Sequence, residues 1–334
     1  MKISASVFAQ NHTPIDSLVS HLERIGVTML HIDCFSGEDL ETFFEKGGDT
    51  ARLPLDVHLI SDSPEQYFQL MEQHRVYRVC LQFEKIQSIP ESFFNGNFKK
   101  GIAIETNTAI DAIHKSVFEK LDFIMLMCTQ PGVSGGKFDI KNFQRINYLK
   151  KHFPNLKITI DGGVNSEIAF ILKLLGVDTV VSGSFLLDKM DYGVNMLHLL
   201  HPVATENIHI RDFMLPIDHL PLLKNGTFGL KDALQIIDDY KTGFALITDE
   251  SGKLEGVTTN ADIRRAVLQS FDSFDKISAS DIVNTKPISI DEHVSVKKML
   301  ETIERVGFVI LFLPVTDADG LLKGLIPLNN LARG

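Results

Sequence analysis

Two histidines and two aspartates in this 334-residue chain have the types and spacing of a reactive metal site. His31 and Asp33 stand two apart at the end of one apolar run, His58 ends the next, and Asp161 ends a later one. In an extended strand, period-two geometry puts His31 and Asp33 on one face. Two imidazoles and two carboxylates that converge make a site for Zn²⁺, Fe²⁺ or Mn²⁺. Taken singly, each has a plainer role: a strand histidine as a hydrogen-bonded structural residue, Asp161 before Gly162-Gly163 as a turn former. Their joint position at strand ends is what favours the metal site.

The elements that must position them follow from the hydrophobic pattern. Strands are expected over Ile3–Val7, Met29–Asp33, Leu55–Ile60, Arg78–Gln82, Gly101–Glu105, Phe123–Cys128, Lys157–Asp161 and Thr179–Ser182. Helices are expected between them, among them Asp16–Ile25, Ser63–Glu72, Ile140–His152 and Ser166–Leu175. Ser63-Pro64 and Asn165-Ser166 read as helix starts. Strands alternating with helices imply a parallel sheet, and eight strands close a (β/α)₈ TIM barrel, whose chemistry sits at the C-terminal strand ends. An open doubly wound sheet is the alternative, but no G-x-G-x-x-G follows the first strand.

Beyond about residue 205 a repeat appears. Thr248-Asp249 to Gly256 matches Thr316-Asp317 to Gly324 at an offset of 68 residues. Each copy has an amphipathic stretch before it (Leu230–Tyr240, Val294–Val306), then an apolar strand (Phe244–Ile247, Phe308–Val315) and an Asp-x-x-Gly turn suited to a hairpin. The expected domains are therefore 1–203 and 204–334, the second holding copies at about 208–270 and 276–334, with His201–Asn207 as linker.

A formal charge of −10 argues against nucleic acid or an anionic membrane as partner. Cys34, Cys80 and Cys128 lie in apolar runs and read as reduced core thiols. The N-terminus lacks a signal-peptide pattern, and no window is apolar enough to span a membrane, so a cytoplasmic location is expected.

His31-Ile32-Asp33, Asp56-Val57-His58-Leu59, Met127, Pro131 to Phe138, Asp161-Gly162-Gly163 and Gly183-Ser184 agree in order and rough spacing with ribulose-phosphate 3-epimerases. Residues 2–188 resemble that family. The resemblance implies one divalent ion (Zn, Fe, Mn or Co) on His31, Asp33, His58 and Asp161, with Asp33 and Asp161 as the paired acid and base. Such an enzyme is an isomerase: it removes the C3 proton of a sugar phosphate on one face and returns it on the other, most simply converting D-ribulose 5-phosphate to D-xylulose 5-phosphate. Ser6, His58 and Met127 would contact substrate. Gly132, Val133, Ser134 and Gly135 would close over it, and Gly162, Gly163, Gly183 and Ser184 would hold its phosphate. The chain departs from the family pattern in a shortened connection after Asp33, in Phe35 and Ile60 where Met is usual, in Gln82 for His, and in Glu105-Thr106 for Asn-Pro. These departures leave open another pentulose or hexulose phosphate as substrate.

The tandem repeat resembles a pair of CBS domains. Gly256 to Arg265 looks like that family's nucleotide motif, which implies an adenine nucleotide effector held by Thr259 and Asp262, with Arg264 on phosphate. The second copy has Pro327 and Asn330 at the corresponding places. Both resemblances imply a homo-oligomer. A third reading is a weakly active barrel that serves as a nucleotide-binding scaffold.

Overall fold

The apolar runs of the first half become eight parallel strands: β1 (Lys2–Ser6), β2 (Met29–Cys34), β3 (Leu55–Leu59), β4 (Arg78–Gln82), β5 (Lys99–Glu105), β6 (Phe123–Met127), β7 (Lys157–Asp161) and β8 (Thr179–Ser182). Each pairs with the next and β8 pairs with β1, so the sheet closes into a barrel rather than staying open. The computed structural model describes residues 1–10, 13–48, 51–132, 135–188, 191–201, 207–306 and 310–330. They fall into two units, Met1–Ala204 and Thr205–Gly334.

Alternation decides what each strand gives to the interior. Cys80, Ala103, Phe123, Met125, Met127 and Val181 form one buried cluster. The residues of opposite parity, such as Ile32, Leu81, Ile104, Leu126 and Ile160, are fully buried too. Burial on both faces is what a parallel sheet covered by helices requires. The helix Ile15–Ile25 shows the covering pattern: Ile15, Leu18, Val19 and Leu22 are buried, and each such side chain contributes roughly 1.5–3 kcal/mol by leaving water. That helix ends where Gly26 turns left-handed at φ 84°. The helix Ser166–Leu174 starts as expected, with the Asn165 side chain accepting from Ile168 N at 3.0 Å. The stretch from Ser63 differs from its expectation. A 3₁₀ turn, Pro64–Tyr67, comes first, then the α-helix Phe68–Gln73, and Ser63 makes no side-chain cap.

Register places the reactive residues side by side. Asp33 faces His58 and His31 faces Asp56 across β2 and β3. Ser6 faces His31, and Met127 faces Asp161.

The second unit is built from two hairpins. Strand β9 (Leu215–Pro216) precedes β10 (Leu222–Lys224), β11 (Phe244–Thr248) and β12 (Leu254–Thr259), which form a three-stranded sheet in that order. Strands β13 (Ile290–Asp291), β14 (Phe312–Thr316) and β15 (Leu322–Pro327) form the second sheet, and β9 completes it beside β15. The β14 strand is shorter than expected; Phe308 and Val309 lie outside the described residues. Both Asp-x-x-Gly turns work alike: Asp249 Oδ1 accepts from Lys253 N at 2.8 Å, and Asp317 Oδ1 from Leu321 N at 2.9 Å. The turns then join reciprocally, Leu254 N donating to Gly320 O and Leu322 N to Gly252 O, both at 3.0 Å. The repeat thus becomes a pseudo-twofold pair. No helix among the described residues is long and apolar enough to cross a membrane.

Candidate metal centre and active site

His31, Asp33, His58 and Asp161 converge at the C-terminal mouth of the barrel. One ligand atom from each lies within 4.8 Å of all the others. His31 Nε2 stands 3.5 Å from Asp33 Oδ1 and 3.7 Å from Asp161 Oδ2, and His58 Nδ1 stands 3.0 Å from Asp33 Oδ1. Both imidazoles are fully buried, while the two aspartates are partly open to the cavity above.

The donor set fits a divalent ion. His31 Nδ1 meets Asp56 Oδ2 at 3.0 Å, and Nε2, the nitrogen facing the two aspartates, is buried with no hydrogen-bond partner. A metal would satisfy it, and a carboxylate behind a ligating histidine is the usual support. Neutral imidazole and carboxylate oxygen suit Zn²⁺, Fe²⁺ and Mn²⁺ alike.

Asp56 is itself held. Arg78 donates to it from Nε at 2.7 Å and Nη2 at 2.6 Å, and the Ser4 hydroxyl donates at 2.8 Å. Arg78 Nη1 continues to Thr159 Oγ1 at 3.0 Å, and its guanidinium lies 4.5 Å from the Phe123 ring centre. In the sequence Asp56 stands out only as part of a motif, and Arg78 only as the first residue of a strand. The available signal was parity: both are charged residues at inward positions, Asp56 two residues before the polar His58 and Arg78 four before Gln82 on the same strands.

These contacts sort the titrations. Burial works against ionised Asp56, but Arg78 and His31 outweigh it and hold its pKa well below the ordinary value. Burial lowers the His31 pKa, yet the attraction of Asp56 and Asp33 prevails and raises it well above the ordinary value. Asp33 is buried as well, but its contacts with His31 and His58 keep its pKa well down. Asp161 goes the other way: burial pushes it up to about 6, the nearby negative charge of Asp33 adds to that, and His31 opposes it. Two adjacent carboxylates are thus driven apart, the pattern that separates an acid from a base.

Above the four residues lies an open cavity of about 270 Å³. Of the expected substrate residues, Ser6, Met127, Gly132, Gly135, Gly162, Gly163, Gly183 and Ser184 line it, together with Asp33 and Asp161. His58 sits beneath it, behind Asp33. Val133 and Ser134 lie outside the described residues. Gly162 and Gly163 are needed as glycines. Both have positive φ (106° and 67°), and a Cβ on either would run into backbone, Thr129 N at 2.8 Å for Gly162 and Lys137 C at 2.7 Å for Gly163. Phe35, Asp39, Thr42 and Thr129 also line the cavity and were not assigned to it from sequence. Asp39 and Thr42 arrive because the helix Gly37–Glu45 starts almost at once after β2, where Asp39 accepts from Phe35 N at 2.7 Å and Ser36 N at 2.8 Å.

In the second unit, Thr259 and Asp262 form a capping box on the helix Asn260–Gln269. Thr259 Oγ1 donates to Asp262 Oδ2 at 2.6 Å and accepts from Asp262 N at 3.2 Å. Arg265 pairs with Asp262 at 3.1 Å, while Arg264 is exposed.

Two family patterns match the two units of the chain. The sequence pattern of the ribulose-phosphate 3 epimerase family matches residues 2–187, and that of the CBS domain matches 210–269 and 279–334. The ribulose-phosphate 3-epimerase of Bacillus subtilis is 26% identical over 211 residues, 57% of this chain and 94% of its own. The ribulose-phosphate 3-epimerase of Aquifex aeolicus is 27% identical over 213 residues, 57% of this chain and 92% of its own. Among solved structures, a CBS domain-containing protein of Bacillus anthracis aligns with 38% of this chain and 92% of its own at 18% identity and a TM-score of 0.34. With all eight barrel strands inside the matched residues 2–187, the chain belongs to the ribulose-phosphate 3-epimerase family and carries a CBS-domain pair after the barrel.

Proposed function

We propose that the barrel epimerises C3 of a ketose phosphate, D-ribulose 5-phosphate to D-xylulose 5-phosphate, with Asp33 and Asp161 as the two proton carriers. The observation that carries this reading is the convergence of four ligand atoms beneath a cavity bounded by the glycines after β7 and β8. His31, Asp33, His58 and Asp161 would hold one divalent ion. When bound, that ion supplies Lewis-acid stabilisation of the charge developing on the substrate oxygens beside C3.

The remaining work falls to the chain. Gly162, Gly163, Gly183 and Ser184 bind the phosphate through backbone N–H groups, which fixes C3 over the two carboxylates. The ionised member of the pair takes the C3 proton from one face, and the protonated member delivers one to the other. For the reverse reaction they exchange roles. Asp33 held ionised and Asp161 titrating near 6 support such a division. Met127 and Phe35 exclude water from the cavity; Ser6 orients the substrate.

The CBS pair is read as a sensor for an adenine nucleotide, bound by the first copy through Thr259, Asp262 and Arg264. The helix Asn260–Gln269 begins at Thr259, and the positive end of its dipole favours a phosphate there. The test is turnover of D-ribulose 5-phosphate by the full chain, with and without a chelator, against a panel of pentulose and hexulose phosphates, then with AMP or ATP added. Chelator-sensitive turnover of ribulose 5-phosphate supports the reading. A preference for another ketose phosphate would shift the substrate, with Asp39 and Thr42 as the contacts to examine. No turnover and no bound metal would favour the scaffold reading.

A further inference from the structure

We infer that Gln82 and Glu84 are positioning residues that lock His58 with a proton on Nε2 and its Nδ1 lone pair turned toward Asp33. The inference rests on the metal-site reading above and extends it to residues outside the four ligands. The geometry is a relay. His58 Nε2 lies 2.7 Å from Gln82 Oε1, Gln82 Nε2 donates to Glu84 Oε2, and Glu84 Oε1 accepts from Glu105 N at 2.9 Å and from the Thr108 hydroxyl.

The direction of the relay follows from chemistry. The Glu84 carboxylate accepts from Glu105 N and from the Thr108 hydroxyl, and an ionised carboxylate acts only as acceptor. The Gln82 atom facing it must therefore be the NH₂ group, which leaves the amide oxygen facing His58. An amide oxygen cannot donate, so Nε2 of His58 must carry the proton. Nδ1 is then the free nitrogen, and it is the one 3.0 Å from Asp33 Oδ1. A lone pair facing a carboxylate oxygen at that distance needs a cation or a proton between them. Histidine 31 has the opposite arrangement: its Nδ1 meets Asp56 and its Nε2 faces the centre. Glu84 is exposed but anchored at the end of β5, while Gln82 is buried at the end of β4. The residue that departs from the family pattern after β4 is thus the middle of the relay.

The test is zinc binding by the full chain, measured by competition with a chromophoric chelator, for wild type, Gln82→Met and Glu84→Ala. Loss of a partner behind a ligating histidine weakens metal binding about 10- to 100-fold, and that is expected for Gln82→Met, with a smaller loss for Glu84→Ala, where Gln82 is freed to turn. Secondary structure by circular dichroism stays that of wild type. In the zinc-loaded, ¹⁵N-histidine-labelled protein, long-range ¹H–¹⁵N spectra show His58 bound through Nδ1, with an Nε2 proton that exchanges slowly in wild type and faster in Gln82→Met. Should Gln82→Met not fold, the exposed Glu84→Ala substitution carries the comparison. Coordination of His58 through Nε2, or wild-type affinity in both variants, overturns the relay. A wild type that binds no zinc overturns the metal-site reading beneath it.

Discussion

Replacing Arg78 by methionine should destabilise the barrel by about 3 kcal/mol. Arg78 lies inside the barrel, paired with a fully buried Asp56 through two nitrogens at 2.6 and 2.7 Å. Its removal strands that carboxylate, and breaking a buried pair costs about 3–5 kcal/mol. Asp56 keeps the Ser4 hydroxyl and His31, which places the expectation at the lower end of that range. For a unit of this size the loss lowers Tm by roughly 6–12 °C. The chain contains no tryptophan, so scanning calorimetry is the suitable assay, with the barrel transition identified as the one that metal shifts. The pH dependence has a definite sign. The folded pKa of Asp56 is depressed, so its contribution is fully present above its unfolded value of about 3.9 and fades as pH falls through the folded value. In Arg78→Met the deficit should shrink as pH falls toward about 4 and the stranded carboxylate takes a proton. The double variant Asp56→Asn/Arg78→Met removes both charges yet leaves an acceptor for His31, and should recover most of the loss. A single variant within about 1 kcal/mol of wild type, or a double variant no better than the single, would refute the reasoning.

Three further expectations follow from the same site. Metal affinity should rise with pH, because His31 and Asp161 both hold protons that an ion must displace, and the rise should be steeper below about pH 6, where Asp161 is protonated, than above it, read by competition titration. A flat profile would contradict the assignment. Gly162→Ala forces a side chain onto Thr129 at a φ of 106°, so the substitution should cost about 1–3 kcal/mol and raise KM for the phosphate substrate; an unchanged KM would remove Gly162 from the phosphate site. Cys34, Cys80 and Cys128 are buried, and burial raises all three thiols, Cys34 to about 12, so none should react with a thiol reagent at pH 8 until the chain unfolds.

The strands were legible because they depend on short-range pattern, and the four-residue centre because its members all stand toward strand ends. β4, β7 and β8 begin and end where the apolar runs do, and period two alone puts His31 and Asp33 on one face. What lay hidden depends on neighbours across strands. Nothing local says that Arg78 meets Asp56, 22 residues away. Glu84 falls beyond the end of β4 and becomes relevant only through its contacts with Gln82, with Glu105 at the end of β5 and with Thr108 beyond it. The short connection after β2 was visible as a missing segment. Its consequence, a helix that brings Asp39 and Thr42 to the cavity, was not. In the second unit the Thr259–Asp262 spacing reads equally as a nucleotide motif and as a capping box, and the folded chain makes the capping bonds.

The most direct test of the two-carboxylate account is proton exchange at C3. D-Ribulose 5-phosphate is incubated in deuterated water with metal-loaded protein, and the C3 proton is followed by NMR. The account predicts deuterium at C3 with formation of xylulose 5-phosphate, and a loss of at least about 100-fold in both Asp33→Asn and Asp161→Asn. Epimerisation that persists at the wild-type rate in either variant, or that proceeds without solvent deuterium entering C3, would contradict it.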